Sequence, residues 1–129
     1  MNLFFLIAGL FLLVAFAVHF VAGDREYRQL RPADPSRFSF WLTGRCTFHM
    51  ASMDLLLPGI YLCCLGTGVM PYSFAPVLFI NLLFLGYLLS WLLTVKVSGA
   101  QGKEYLKQGQ WLLFLLVCLL LAGGMASYN

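Results

Sequence analysis

The sequence predicts an all-α integral membrane protein, built as an antiparallel bundle of four transmembrane helices. Hydrophobic residues make up 61% of the 129-residue chain and charged residues only 10%, whereas a soluble domain carries about a quarter charged residues. Four apolar stretches, at about 3–22, 38–66, 74–97 and 105–126, each approach the roughly 20 residues that cross a bilayer as a helix. We therefore expect one membrane domain and no separate soluble domain.

The first apolar stretch is expected to be a retained membrane span. Its Ala15-Phe16-Ala17 segment resembles a signal-peptide cleavage site, but the stretch lacks a positively charged leader. Beyond it, residues 23–31 alternate in charge, so we expect the helix to continue for a turn or two outside the membrane. Two prolines then end this extension, and Ser36, directly after Pro35, is the predicted N-cap of the second helix.

Turn residues and aromatic residues set the ends of the other spans. Gly66, Gly68 and Pro71 mark a tight connection between the second and third spans, and the glycines of S-G-A-Q-G-K-E-Y mark the next. The last stretch is purely apolar only from Trp111, so it reaches a full span if its helix begins near Tyr105. Tryptophan and tyrosine favour the headgroup level. Those near the predicted ends are Trp41, Tyr72, Trp91, Tyr105, Trp111 and Tyr128.

The distribution of basic residues predicts the orientation in the membrane. All eight lysines and arginines lie in or beside the first and third loops, and the second loop carries no charge. The basic residues are Arg25, Arg28, Arg31, Arg37, Arg45, Lys96, Lys103 and Lys107. By the positive-inside rule, both charged loops face the cytoplasm and both termini face outward. This topology accounts for the net charge of +3, so no nucleic-acid partner is needed to explain it.

The sequence contains no motif for a known reaction or metal site. Its four cysteines have spacings unlike those of zinc or thioredoxin sites, so we interpret them as small core residues. A Ser-His-Asp set, an HExxH motif and a glycine-rich phosphate loop are also missing. The sequence therefore favours a protein that is not an enzyme.

Polar and small residues form stripes along three of the predicted helices. On the second helix, steps of four and three residues align Arg45, His49, Ser52, Leu56, Gly59, Cys63 and Gly66. Matching stripes contain Ala8, Leu12, Ala15, His19 and Ala22 on the first helix, and Gly86, Ser90 and Thr94 on the third. Because membrane helices associate through small residues and interhelical hydrogen bonds, we expect these stripes to face the interior of the bundle.

Asp54 lies on a different face of the second helix from His49. The two residues are five positions apart, which separates them by roughly 140° around the helix. A carboxylate near the bilayer centre costs roughly 2.5–3.5 kcal/mol on insertion scales, so we expect Asp54 to be protonated, paired or water-exposed. Pro58 removes the backbone donor that would bond the Asp54 carbonyl, which predicts a kink beside this residue.

The two histidines support one cofactor hypothesis. His19 and His49 lie on stripes that are expected to face each other, as the axial ligands of a b-type haem do in a helical bundle. Small neighbours would leave room for a porphyrin, and Arg45 would pair with a propionate. The alternative interpretation is that both histidines only form interhelical hydrogen bonds.

Two short motifs carry a resemblance to other proteins. The segments H-F-V-A-G-D-R-E at 19–26 and H-M-A-S at 49–52 resemble those of a set of small four-helix bacterial inner-membrane proteins. The resemblance implies an inner-membrane location and implies that His19 and His49 belong together. It implies no activity.

Three functions are consistent with the sequence. The first is a small accessory or structural subunit that packs in the bilayer on other membrane proteins or on its own copies, since the chain has little mass outside the membrane. The second is a bis-histidine haem b protein or a quinone-associated redox protein. The third is a small proton-coupled transporter that uses Asp54, because ionisable residues within membranes often mark ion pathways.

Overall fold

The computed structural model describes residues 1–107 and 109–128 and is all-helical in those ranges. Helix makes up 84% of the residues, and no strand occurs in the described part of the chain. The elements are α1 (Leu3–Val18), a π-helical turn (His19–Gly23), α2 (Asp24–Gln29), α3 (Pro35–Thr67), α4 (Phe74–Val97), α5 (Gly102–Lys107) and α6 (Gln110–Ala126). The predicted all-α class is therefore confirmed.

Three helices are long and apolar enough to cross a membrane, which indicates a membrane protein. They are the continuous helix Leu3–Gln29, which joins α1, the π-helical turn and α2, together with α3 and α4. The apolar helix α6 has only 17 residues. At 1.5 Å per residue it is about 26 Å long, slightly less than the hydrocarbon core of roughly 30 Å.

The helix α6 begins later than the sequence predicts. Tyr105, the expected start of the fourth span, belongs to the separate short helix α5. Gly109 has a ψ of 5°, outside the helical range, and precedes the first residue of α6. Glycine is a poor helix former because its backbone loses the most freedom on ordering, so the break has a local cause. Gln108, within the predicted span, lies outside the described residues.

The cap of α3 is Asp34 and not the predicted Ser36. The Asp34 carboxylate accepts hydrogen bonds from the backbone N–H of Ser36 at 2.9 Å and from its hydroxyl at 2.8 Å. Pro35 takes the first helical position, where its missing N–H has no intrahelical partner to lose. The hydrogen bonds from Ser36, the backbone one above all, hold the pKa of the Asp34 carboxyl below its usual value.

Glycines allow α1 and α3 to pack closely. A β-carbon on Gly9 would lie 2.7 Å from the backbone nitrogen of Cys63 and 2.8 Å from the carbonyl oxygen of Gly59. A β-carbon on Gly66 would lie 2.5 Å from the backbone nitrogen of Leu6. The two backbones therefore leave no room for a side chain at these points, which is how small residues bring membrane helices together.

Four helices, α1, α3, α4 and α6, are called the long helices below, and they pack in an open arrangement. In this arrangement α3 packs on α1, α1 on α6, and α6 on α4, around a core that includes the fully buried Phe5, Leu12, Phe84 and Leu121. Within the described ranges, no comparable packing joins α3 to α4. These two helices therefore flank a cleft, which extends to the end of the molecule that carries α2 and the start of α6.

Candidate functional site

The cleft between α3 and α4 is a large concave surface with mainly apolar walls. Its volume is about 1140 Å³, slightly above the roughly 300–1,000 Å³ of typical small-molecule sites. All four long helices contribute to it, and its apolar lining includes Phe11, Val14, Val18, Leu55, Leu113 and Phe114. A molecule in the cleft would therefore contact mostly hydrocarbon and aromatic groups.

A hydrogen bond between described residues of α3 and α4 crosses the cleft. The Tyr87 hydroxyl on α4 donates to Oδ2 of Asp54 on α3 at 2.7 Å. This bond satisfies one oxygen of a carboxylate that is costly to place in an apolar setting without a partner. No hydrogen bond to Oδ1 of Asp54 is found in the described residues, and the half-buried side chain lines the cleft. A ligand in the cleft can therefore reach the carboxylate of Asp54.

Further polar groups line the α4 wall between Tyr87 and the end of the cleft near α2, which is called the charged end below. Ser90 and Thr94 lie one turn apart on this wall, and the Thr94 hydroxyl donates to the Ser90 carbonyl oxygen at 2.8 Å. Trp91 lines the same wall, and its indole N–H is buried with no hydrogen-bond partner in the described chain. A buried donor without a partner costs free energy. Ser90, Trp91 and Thr94 therefore form a polar strip on the α4 wall of the apolar cleft.

His19 joins α1 to α3 at the edge of the cleft. Its Nδ1 lies 3.0 Å from the hydroxyl oxygen of Ser52, and its ring stacks on Phe48 with the ring centroids 3.9 Å apart. The Ser52 hydroxyl, which is fully buried, donates its only proton to the Phe48 carbonyl oxygen at 3.2 Å. When Ser52 donates to that carbonyl, the His19 Nδ1 carries a proton and donates it to Ser52. The π-helical turn begins at His19, and such turns often occur at functional positions.

Asp24, the first residue of α2, is the centre of an ion cluster. Its carboxylate accepts hydrogen bonds from Nε and Nη2 of Arg45 at 2.9 and 3.2 Å. It also forms an ion pair with Arg28, whose Nε is 3.1 Å away, and lies 3.0 Å from Nε2 of His49. Two-point binding by arginine is among the stronger charge-assisted contacts. The cluster ties α2 to α3, and none of its four residues lines the cleft.

A haem between His19 and His49 does not fit these contacts. The Nε2 of His49 is held by Asp24, and its Nδ1 is buried, so neither ring nitrogen is open to an iron atom. Phe48 covers one face of the His19 ring, and only His19 of the two histidines lines the cleft. We therefore derive no haem chemistry from these residues. Both histidines form interhelical hydrogen bonds instead.

The structure divides the polar residues identified in the sequence between two places. Those that line the cleft are His19, Asp54, Ser90 and Thr94; those outside it are Arg45, His49 and the buried Ser52. Tyr87, the partner of Asp54, was not expected from the sequence; Asp24 was expected on the same side as Arg45 and His49 but not as their binding partner. The position of Tyr87 in the middle of an apolar span was the signal that could have identified it, because its hydroxyl needs a hydrogen-bond partner there.

Neither metal chemistry nor a known relative assigns a function to the cleft. Among residues 1–107 and 109–128, no three histidine, cysteine or carboxylate side chains are grouped as metal ligands. All four cysteines are free thiols. No protein-family model matches the chain, and no curated protein or solved structure is detectably similar to it.

Proposed function

We propose that this chain is a four-span protein of a bacterial inner membrane that takes up an amphiphilic small molecule in the cleft between α3 and α4. The cleft itself carries the proposal, because a concave surface of about 1140 Å³ combines apolar walls with one polar strip. If the cleft were empty, the atoms that line it would have fewer dispersion contacts than when a molecule fills it. A molecule with an apolar body and a polar end matches both parts of the lining.

The accessibility of the lining supports entry of such a molecule. Phe11 on α1, Thr47 on α3 and Thr94 on α4 all line the cleft and are exposed. The cleft is therefore open and not a sealed cavity. A molecule dissolved in the bilayer or in water near the charged end can enter it without unfolding of the bundle.

Protection of an engineered cysteine tests this proposal. The variant Thr94→Cys, in a chain whose four native cysteines are changed to alanine, places a thiol on the polar strip. We expect a bound amphiphile, with decyl-ubiquinone as a neutral probe, to slow its alkylation by N-ethylmaleimide about tenfold at ten times the Kd of the probe. The matched control is Leu93→Cys, since Leu93 is 61% exposed, adjacent in sequence and outside the cleft lining.

The outcome of the alkylation experiment is read from the difference between the two cysteines. A neutral, cationic or anionic amphiphile that slows modification of Thr94→Cys, while Leu93→Cys reacts at an unchanged rate, supports uptake in the cleft. Equal effects at both positions would mean that the probes act through the detergent micelle. In that case the proposed function is wrong.

The proposed orientation has both termini on the outer side and both charged loops in the cytoplasm. It rests on the positive-inside rule, because the loop residues 68–73 carry no charge whereas the segments around α2 and α5 hold most of the basic residues.

In intact cells, we expect a membrane-impermeant maleimide to label Ser73→Cys and to label Ala33→Cys only after lysis. Both positions are exposed, so the reverse pattern would show that the orientation is inverted.

A second candidate function is an accessory membrane subunit. It is favoured by the small size of the remaining helices, because α2 and α5 have only six residues each. Any partner would have to be recognised mainly through the helix faces. Purification in mild detergent separates the two roles: a stoichiometric membrane partner, or a defined homo-oligomer, that protects Thr94→Cys without added probe favours the subunit. A proton-coupled transporter that uses Asp54 would load its ligand in the same cleft.

A further inference from the structure

We propose that the cleft selects a lipophilic cation, with Asp54 as its countercharge. This inference rests on the proposed uptake of an amphiphile and specifies the chemical class of that amphiphile. Three independent features of the lining carry it: the sign of its charged residues, its aromatic content and the incomplete pairing of the Asp54 carboxylate.

The charged side chains that line the cleft are all acidic. Asp54 lies on its wall, and Glu26 lies at the end near α2. In the part of the cleft lining that the structure describes, no lysine or arginine is present. Two of the basic residues, Arg28 and Arg45, both bind Asp24. A cation entering the cleft would therefore be attracted, whereas an anion would meet carboxylates in a setting of low polarity.

The apolar walls are rich in aromatic rings. Six aromatic side chains, contributed by all four long helices and α2, line the cleft: Phe11, Tyr27, Phe48, Tyr87, Trp91 and Phe114. The face of an aromatic ring carries negative electrostatic potential, so it attracts organic cations as well as apolar groups. Sites for quaternary ammonium ligands use rings in this way. The walls thus favour a bulky cation over a neutral molecule of equal size.

The contacts of Asp54 leave its charge only partly compensated. Tyr87 donates one hydrogen bond to Oδ2, which is a weaker compensation than a full countercharge. No arginine, lysine or histidine contacts Asp54 in the described residues. Ionisable groups inside membranes are usually paired with a charge or exposed to water. A bound cation would supply the missing positive charge.

Two probes of nearly equal shape and opposite charge test the inference. Tetraphenylphosphonium and tetraphenylborate are compared by equilibrium binding to the purified full-length chain in non-ionic detergent, with protein-free micelles as the partition blank. We expect the phosphonium to bind and the borate to bind at least about tenfold more weakly. Equal binding of the two ions, or tighter binding of decyl-ubiquinone than of the phosphonium, would overturn the cation assignment but leave the proposed uptake of an amphiphile intact.

Substitution of Asp54 supplies a second readout. Asp54→Asn keeps the acceptor for the Tyr87 hydroxyl and removes the charge, so we expect phosphonium affinity to fall about tenfold while borate affinity stays level or rises. Glu104→Gln is the matched control, because Glu104 pairs with Lys107 outside the cleft, and it should leave both affinities unchanged. If Asp54→Asn binds phosphonium as tightly as the parent, Asp54 is not the countercharge. If the variant fails to fold, the comparison of the two ions on the parent chain still decides the assignment.

Discussion

Replacing Gly66 with alanine is expected to destabilise the protein by about 1–3 kcal/mol, the usual cost of forcing extra atoms into a packed contact. The new β-carbon would lie 2.5 Å from the backbone nitrogen and 2.7 Å from the α-carbon of Leu6. Because these are backbone atoms, no change of rotamer relieves the clash, and α1 must move away from α3. The free energy of unfolding in mixed micelles of SDS and mild detergent measures the loss.

The chain contains a matched control for this substitution. Gly86 lies within α4, and a β-carbon there would have no neighbour within 4 Å. Alanine forms helices better than glycine by about 1 kcal/mol, so Gly86→Ala should be neutral or slightly stabilising. A loss at Gly66→Ala no greater than that at Gly86→Ala would contradict the close approach of the two backbones. Gly9→Ala should resemble Gly66→Ala, since its β-carbon would also meet backbone atoms.

The same contact shows which parts of the fold are predictable from the sequence. Gly59 and Gly66 belong to the small-residue stripe, and a helical period of 3.6 residues is enough to align them on one face. Gly59 lies opposite Gly9 of α1, so the stripe does lie against a neighbouring helix. Hydrophobic length similarly predicts helices across 38–66 and 74–97, and the structure has α3 and α4 there. Periodicity and length are local properties, so they can be read from one chain.

The pairing of helices could not be predicted in this way. Tyr87 and Asp54 lie 33 positions apart and Asp24 and His49 lie 25 apart, so each contact depends on which helices are neighbours. The π-helical turn at His19–Gly23 also changes the direction of side chains relative to a regular helix. The contacts of the two histidines do not fit the haem hypothesis because these contacts depend on helix pairing. The hypothesis required that two aligned stripes bring the ring nitrogens together, whereas Asp24 holds one histidine and Ser52 the other.

The opposite end of the bundle from the cleft is held by Asn2. Its side-chain oxygen caps α1 by accepting from the backbone N–H groups of Phe4 and Phe5 at 3.0 and 3.3 Å. Its amide nitrogen donates to the Gly124 carbonyl oxygen at 3.3 Å and to the Ser127 hydroxyl at 2.8 Å. The residue is only 8% exposed. One buried amide thus caps the first long helix and joins it to the end of the last.

Asn2→Ala is therefore expected to cost about 2 kcal/mol, since loss of an N-cap alone costs about 0.5–2 kcal/mol and the buried Gly124 carbonyl also loses its hydrogen bond from Asn2. Two further variants divide this loss. Asn2→Asp keeps the capping oxygen but lacks the amide donor, so it should retain the cap and lose the link to α6. Ser127→Ala removes one acceptor and should cost less than either. The loss of unfolding free energy should be largest for Asn2→Ala, smaller for Asn2→Asp and smallest for Ser127→Ala. A loss in Asn2→Asp equal to that in Asn2→Ala would mean that the link to α6 and not the cap stabilises this end. An unchanged stability of Asn2→Ala would show that the four hydrogen bonds of the Asn2 side chain contribute nothing to the stability of this end of the bundle.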